Sequence, residues 1–245
     1  MPVGASRALA LASILAAPLA AALAADLPFL HVVPVTLRAG VDIDLTRPLR
    51  VAAASGDGEA VDLRHYQPLE DPWSDAYLNP SFVIDFDQPP VETLRREVAA
   101  RYGAQPSVLE LVRFTRDTLD ESWNGQAFAV ASSAATSRSG DCSEHAVVLT
   151  GLARAFDRPA RVVLGVLVVT HEDQLGAFGH AWAEIHDGAR WQRADATNWE
   201  GVDTLGYVPV GVLRDEGPGH ALDMIASMQS PWFHGVEVIG NADSH

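Results

Sequence analysis

The sequence predicts an α+β fold, in which a helix bearing the only cysteine of the chain packs on an antiparallel β-sheet, with a β-rich N-terminal extension. Apolar residues after Cys142 recur at spacings of three and four, which is typical of a helix with one buried face. The run 161–170 is apolar and rich in β-branched residues, as in a strand buried on both faces. Residues alternate on both sides of Asp187-Gly188, which is a strong hairpin signal.

Composition is that of a globular protein and argues against some partners. The 245 residues are 48% hydrophobic and 20% charged, which allows one domain with a substantial core, alone or with an extension. The formal net charge of −15 argues against nucleic acid or an anionic membrane surface as a partner, because either one requires a basic patch.

Residues 1–24 are interpreted as a secretory signal peptide. Arg7 precedes the apolar run 8–23, and residues 22–24, Ala-Leu-Ala, have the small side chains of a cleavage site. A membrane anchor is the alternative, but the run is shorter than the ~20 residues that a span needs. We therefore expect a secreted or periplasmic protein, with no stable membrane insertion after cleavage.

Residues 25–90 are predicted to form the β-rich extension, and residues 91–245 the main domain. Strict alternation at Val41–Leu45 predicts a half-buried strand within the extension. Weaker strand candidates are residues 49–51, 61–66 and 82–86.

The main domain is predicted to begin with helices, at residues 91–102, 107–119 and 129–138. Pro89-Pro90 opens the first helix and Gly103 closes it. Beyond the cysteine helix, the polar and glycine-containing stretch 171–179 is predicted as a loop, and residues 207–213 as a further strand.

Cys142 is expected at the first position of its helix. Asp141 is a suitable N-cap, Glu144 stands where a capping-box acid belongs, and Pro159 ends the helix. Unpaired backbone N–H groups and the helix dipole at this position favour a thiolate, which is the form of cysteine that acts as a nucleophile. The alternative is a small buried core residue, which is the commoner role of a lone cysteine.

The hairpin brings a histidine and a carboxylate together. If the Asp-Gly pair forms the two-residue turn, His180 faces Asp195 and Trp182 faces Arg193. Opposed Cβ atoms lie about 5 Å apart, which permits an imidazole–carboxylate hydrogen bond that fixes the tautomer and stabilises the imidazolium. Taken singly, a structural histidine and a surface carboxylate are the alternatives. Together with Cys142, the pair predicts a nucleophile, a base and an orienting acid.

Four stretches of the sequence resemble the transglutaminase-like superfamily. They are Gly140-Asp141-Cys142 with the helix after it, Arg158–Val163, His180–Glu184, and Trp191–Thr197. The resemblance covers about residues 91–200 and implies a papain-related α+β fold. It also implies Cys142 as the nucleophile, His180 as general base and acid, and Asp195 as the residue that orients His180.

The resemblance implies a reaction as well. In this family a cysteine attacks an amide carbonyl and forms a thioester, which an amine or water then resolves. A protein or peptide substrate is therefore expected, and both hydrolysis and transamidation stay open. One departure from the family is Ala196 between Asp195 and Thr197, where a proline is usual, although the carboxylate is retained.

The surroundings of the triad leave two questions open. The backbone N–H of Cys142 is one candidate oxyanion donor, and Gln126, Trp123 and Asn124 are equal candidates for a second donor. Trp182 is a candidate substrate-binding residue, and a half-buried sheet aromatic is the alternative.

Two rival functions are weighed against catalysis. A non-catalytic protein- or peptide-binding module on the same fold is the first, and the presence of three matched residues argues against it. A metal site around His171-Glu172-Asp173 is the second, but the sequence has no His-Glu-x-x-His motif and no cysteine pair. We expect no metal and no cofactor.

Overall fold

A computed structural model describes residues 34–39, 43–56, 59–70, 74–122, 129–171, 174–197 and 203–242. Within these ranges the helices are α1 (Pro89–Tyr102), α2 (Val108–Thr118), α3 (Ala131–Ser137), α4 (Cys142–Ala155), α5 (His220–Met228) and α6 (Pro231–His234), with a 3-10 helix at Asp75–Leu78. The fold is α+β, as predicted from the sequence.

The main sheet is antiparallel and contains the strands β1 (Pro34–Val35), β7 (Ala160–His171), β8 (Gln174–His186), β9 (Trp191–Ala194) and β10 (Asp203–Val212). The strand order is β1-β8-β7-β10, and β9 pairs with the far end of β8. The predicted central strand is thus β7, which pairs with β8 on one side and with β10 on the other.

A second sheet joins both ends of the described chain. Its order is β2-β11-β3-β4, with β2 at Leu37–Ala39, β3 at Leu49–Ala53, β4 at Val61–Asp62 and β11 at Val236–Asn241. A separate parallel pair links β5 (Asp120–Glu121) to β6 (Ser139–Gly140), directly before α4. The predicted extension and the C-terminal part of the chain therefore share a sheet. The boundaries predicted at residues 24 and 90 stay predictions.

Different parts of the chain pack on the two faces of the main sheet. Helices α1 to α4 pack on one face, against residues such as Val162, Ala183 and Ile185. The opposite face carries a cluster of buried apolar side chains, against which Tyr66 and Leu69 from the N-terminal region pack. Since side chains alternate along a strand, His180 lies on this second face with Trp182.

Helices α1 and α2 begin at the signals that the sequence carries, whereas α5 and α6 were not predicted. Pro89 and Pro90 lie in the first turn of α1, and Gly103 follows it with φ +90°, a conformation that favours glycine. Ser107 and Glu110 form a reciprocal capping box at the start of α2. Among the described residues, no helix has both the length and the apolar character needed to cross a membrane.

Two predicted strands are wrong. Val41 and Asp42 lie outside the described residues, and residues 43–45 are not in a strand, because the Asp44 carboxylate accepts hydrogen bonds from the Thr46 N–H and hydroxyl and forms a turn. Residues 82–86 are not a strand either. The consecutive residues Val83 and Ile84 are both buried in the core, which accounts for the apolar run without a strand.

The predicted loop at 171–179 is also wrong, since β8 begins at Gln174. Leu175, Ala177 and Phe178 are buried on a strand that is covered on both faces. Their burial outweighs the cost of two glycines in the strand, which favoured a loop in the sequence.

The β8–β9 hairpin has a longer turn than predicted. Glu184 faces Arg193 and His186 faces Trp191, two residues away from the predicted register. The turn spans residues 187–190, in which the Asp187 carboxylate accepts hydrogen bonds from the Ala189 and Arg190 N–H groups and the Asp187 N–H donates to the Arg190 carbonyl. A shift of two residues leaves every side chain on its predicted face.

Candidate active site

Cys142 begins α4, as the capping pattern predicts. The Asp141 side chain caps the helix by accepting a hydrogen bond from the Ser143 N–H at 2.8 Å. The thiol is half-buried and free of any disulfide. The first helical position therefore places the sulfur beside backbone N–H groups that have no partner within the helix.

Glu144 connects this helix start to the chain segments around it. Its carboxylate accepts a hydrogen bond from the Asp141 N–H at 3.0 Å and another from the Ala129 N–H at 2.8 Å. The side chain passes so close to Gly140 that a Cβ there would lie 2.2 Å from the Glu144 Cβ. The Gly-Asp-Cys motif thus contains glycine because the buried glutamate fills the space of a side chain.

The cysteine sulfur lies at an open stretch on one edge of β8. On that edge β1 pairs with residues 177–178 and β9 with residues 183–186, so in the described part of the chain neither strand pairs with residues 179–182. The Ala181 N–H lies close enough to the Cys142 thiol to lower its pKa. The N-terminus of α4 therefore meets β8 at the residue next to His180.

His180 and Asp195 form a buried pair. His180 Nε2 lies 2.8 Å from Asp195 Oδ2, and the two side chains are 0% and 8% exposed. The same carboxylate accepts hydrogen bonds from the Tyr207 hydroxyl at 2.7 Å and the Thr197 N–H at 3.0 Å. With three donors the Asp195 carboxylate is held in one orientation, although Ala196 replaces the usual proline.

These contacts determine the charge of the carboxylate. Burial alone would raise the pKa of Asp195, but the charge and hydrogen bond of His180, together with the donors Thr197 and Tyr207, hold that pKa well below its usual range. Asp195 is therefore ionised at neutral pH. An ionised carboxylate at Nε2 leaves Nδ1 as the basic nitrogen of neutral His180.

The pKa of the Cys142 thiol shifts in the opposite direction to that of Asp195. Burial raises the pKa of Cys142 well above its usual value, and the charges of Asp141, Asp195 and Glu144 raise it further, whereas the Ala181 N–H lowers it. For the thiol considered alone, burial and the nearby carboxylates thus act against the thiolate that the helix N-terminus is expected to favour. A base must take the proton before this sulfur acts as a nucleophile.

The Trp182 ring packs against the ring of His180. Its side chain is 1% exposed, and its ring stacks on that of His180 with centroids 5.9 Å apart. The indole N–H donates to the Tyr66 hydroxyl at 2.8 Å. In this arrangement Trp182 supports His180, and its predicted contact with substrate remains a prediction.

Sequence reasoning missed Tyr207 and Tyr66. Tyr207 comes from β10, whose pairing with β7 contains two irregularities, so no spacing rule aligns it with Asp195. Tyr66 comes from the N-terminal region, where the only signal was a weak strand pattern. Neither hydroxyl is recognisable from local sequence.

Several candidate site residues lie outside the described part of the chain. Gln126, Trp123 and Asn124, the candidate oxyanion donors, lie outside the described residues, as do Glu172 and Asp173 of the suggested metal cluster. Among the residues that the structure describes, no group of three histidine, cysteine or acidic side chains is arranged to hold a metal ion.

Comparison with known proteins identifies the segment that contains this site. Residues 96–196 match the family model for the transglutaminase-like superfamily. This segment is therefore similar to the transglutaminase-like superfamily. It runs from the middle of α1 to the residue after Asp195, so Cys142 and His180 both lie within the transglutaminase-like segment. The superfamily includes transglutaminases and cysteine proteases, and its fold supports a thiol-dependent activity.

The other comparisons are less specific. No curated protein matches the chain. A solved structure described as a "Putative Cysteine Protease from Cytophaga hutchinsonii" is 20% identical, with a TM-score of 0.43, over 69% of this chain. The match covers 52% of that structure, so the chain spans about half of its length.

Proposed function

We propose that the chain is a cysteine-nucleophile enzyme that transfers acyl groups from amide bonds to water or to an amine. The observation that carries the proposal is the meeting of the Cys142 helix with β8, one residue from the buried His180–Asp195 pair. Cys142 acts as the nucleophile, His180 as general base and acid, and Asp195 as the residue that holds His180.

The first half of the reaction forms a thioester. Nδ1 of His180 takes the proton of the Cys142 thiol while the sulfur attacks the amide carbonyl carbon. The carbon–nitrogen bond then breaks, and the imidazolium returns its proton to the departing amine nitrogen. The acyl group remains on the sulfur.

The second half releases the acyl group. Water or an amine attacks the thioester carbonyl and gives its proton to His180. The carbon–sulfur bond breaks, and the proton returns from the imidazolium to the Cys142 sulfur. Water yields a carboxylic acid and an amine yields a new amide, so one site supports both hydrolysis and transamidation.

The raised thiol pKa is compatible with this chemistry because the proton moves within the site. Transfer from sulfur to imidazole leaves the net charge of the site unchanged. The Asp195 carboxylate, which disfavours an isolated thiolate, stabilises the imidazolium formed in the same step. The site thus favours internal proton transfer over loss of the proton to solvent.

Alkylation of Cys142 across a range of pH tests the proposal without a known substrate. The wild type is expected to react at lower pH than the His180→Ala variant, whose isolated thiol has a midpoint above the ~8.5 of an ordinary cysteine. Cys142→Ala reports background labelling. Identical profiles for wild type and His180→Ala would show that the histidine does not activate the thiol, and would favour a non-catalytic binding module.

The substrate class and the location are proposed from the sequence. We propose a protein or peptide substrate, as the superfamily resemblance implies, and a secreted or periplasmic location, from the signal-peptide pattern of residues 1–24. Sequencing the N-terminus of the protein recovered from the periplasm or medium tests the location. Recovery of an uncleaved chain in the cytosol alone would contradict it.

A further inference from the structure

A segment of the N-terminal region is fastened to the sheet face that bears His180. The indole N–H of Trp182 donates to the Tyr66 hydroxyl at 2.8 Å, and that hydroxyl in turn donates to the Glu184 carboxylate. Three residues on, the Leu69 carbonyl accepts a hydrogen bond from the Arg161 guanidinium at 3.0 Å. Residues 66–69, here named the Tyr66 segment, thus contact both β7 and β8.

The partners of the Tyr66 hydroxyl are themselves fixed. Glu184 and Arg161 form an ion pair with an Nε–Oε2 distance of 2.6 Å, and both side chains are fully buried. Burial raises the pKa of Tyr66, and the Glu184 carboxylate raises it further, so the hydroxyl stays protonated. The hydroxyl therefore always has a proton to donate to Glu184 and a lone pair to accept from Trp182.

The indole of Trp182 has little room on its other sides. A Cβ at Gly165 would lie 2.6 Å from Trp182 Cη2, so the ring occupies the space left by that glycine. The Tyr207 ring packs edge-on with its centroid 5.2 Å away, and the Tyr66 ring packs edge-on at 6.2 Å. Among these packed rings, the hydrogen bond from the single indole N–H to the Tyr66 hydroxyl sets the rotation of the Trp182 ring.

The indole in turn contacts the imidazole directly. The rings of Trp182 and His180 are nearly parallel, with an interplanar angle of 27°. The hydrogen bond to Asp195 fixes one ring nitrogen of His180. One hydrogen bond still permits the imidazole ring to rotate about the axis of that bond. The stacked indole restricts that rotation and so determines where Nδ1 points.

We propose that Tyr66 is a positioning residue for His180: its hydroxyl fixes the Trp182 indole, and the indole fixes the plane of the imidazole. The N-terminal region is then part of the machinery of the site, although it carries none of the reacting groups. This inference rests on the proposed function, in which His180 activates the cysteine.

The test compares the pH profile of Cys142 alkylation by iodoacetamide in wild type, His180→Ala and Tyr66→Phe. Tyr66→Phe keeps the ring and removes the hydroxyl. We expect roughly tenfold slower alkylation at neutral pH, the change that one lost buried hydrogen bond makes in an equilibrium. We also expect the midpoint to move toward that of His180→Ala.

A second variant keeps the test valid if Tyr66→Phe does not fold. Trp182→Phe retains an aromatic ring but lacks the N–H that Tyr66 holds, and it should shift the profile in the same direction. In the double variant the two effects should not add, because both remove the same link. Tyr102→Phe, on α1, is the matched control and should leave the wild-type profile unchanged.

The outcomes separate this inference from the proposed function. If wild type and His180→Ala have the same profile, the proposed function fails. If those two differ while Tyr66→Phe or Trp182→Phe retains the wild-type profile, His180 activates the thiol without support from Tyr66, and the inference is overturned. Additive effects in the double variant would also overturn it, since the hydroxyl would then act by another route.

Discussion

Two ion pairs of equal length in this protein should differ several-fold in their importance for stability. Arg161 and Glu184 lie 2.6 Å apart with both side chains fully buried. Arg138 and Glu97 also lie 2.6 Å apart, but their side chains are 46% and 39% exposed. Replacing each glutamate by glutamine therefore compares a buried pair, which also holds the Tyr66 hydroxyl, with an exposed pair of the same residue types and similar distance.

The expected magnitudes follow from solvation. Glu184→Gln removes the buried carboxylate charge that faces the Arg161 guanidinium, which should lower the free energy of unfolding by about 3–5 kcal/mol. Glu97→Gln leaves an arginine that water solvates, and should cost less than about 1 kcal/mol. Most domains have an unfolding free energy of only about 5–15 kcal/mol, so the first change is large and the second is not.

Urea unfolding followed by tryptophan fluorescence measures both changes. With a slope of about 2 kcal/mol per molar, Glu184→Gln should lower the midpoint by roughly 2 M and Glu97→Gln by less than about 0.5 M. The double variant Arg161→Leu/Glu184→Leu should recover at least half of the loss, because it removes both buried charges. Equal midpoint shifts for the two single variants would refute the argument that burial makes the first pair essential.

Two further predictions concern the site itself. Burial raises the pKa of the Glu144 carboxyl from 4.5 to about 7, so the wild-type free energy of unfolding should fall as the pH rises between these values. Glu144→Gln should lack that fall in urea unfolding at about pH 5 and pH 8, and an unchanged pH dependence would show that the carboxyl is not buried in this way. Tyr207→Phe removes one donor to the ionised Asp195 and should cost about 1.5–3 kcal/mol in urea unfolding. A loss within error would mean that the hydroxyl does not reach the carboxylate.

Local signals sufficed for the cysteine helix. The N-cap aspartate, the acid three residues later and the apolar spacing each depend only on neighbours in the chain, and α4 begins at Cys142 as they predict. Short apolar runs were a less reliable signal. Residues 82–86 are mostly apolar because Val83 and Ile84 enter the core, and their backbone hydrogen bonds go elsewhere: the Val83 N–H donates to the Glu216 carbonyl.

The prediction that His180 lies near Asp195 is correct although the predicted β8–β9 register is wrong, and the reason is geometric. The structure shifts the hairpin by two residues, and side chains on a strand repeat with a period of two. Both residues therefore keep the face that they had in the predicted pairing, and the diagonal separation is still within reach of a hydrogen bond. A shift of one residue would have placed them on opposite faces, so the sequence predicts the pair more securely than it predicts the turn.

The raised pKa of the Cys142 thiol also bears on where the protein is proposed to work. Oxidants react with thiolates far faster than with thiols, and a cysteine in an oxidising compartment is exposed to them continuously. In the proposed mechanism, a raised pKa of Cys142 keeps the thiolate at low concentration until His180 accepts the proton. Under that proposal, burial and the surrounding carboxylates protect the nucleophile, and the His180–Asp195 pair makes it available for reaction. The difference between the alkylation profiles of wild type and His180→Ala measures this balance directly.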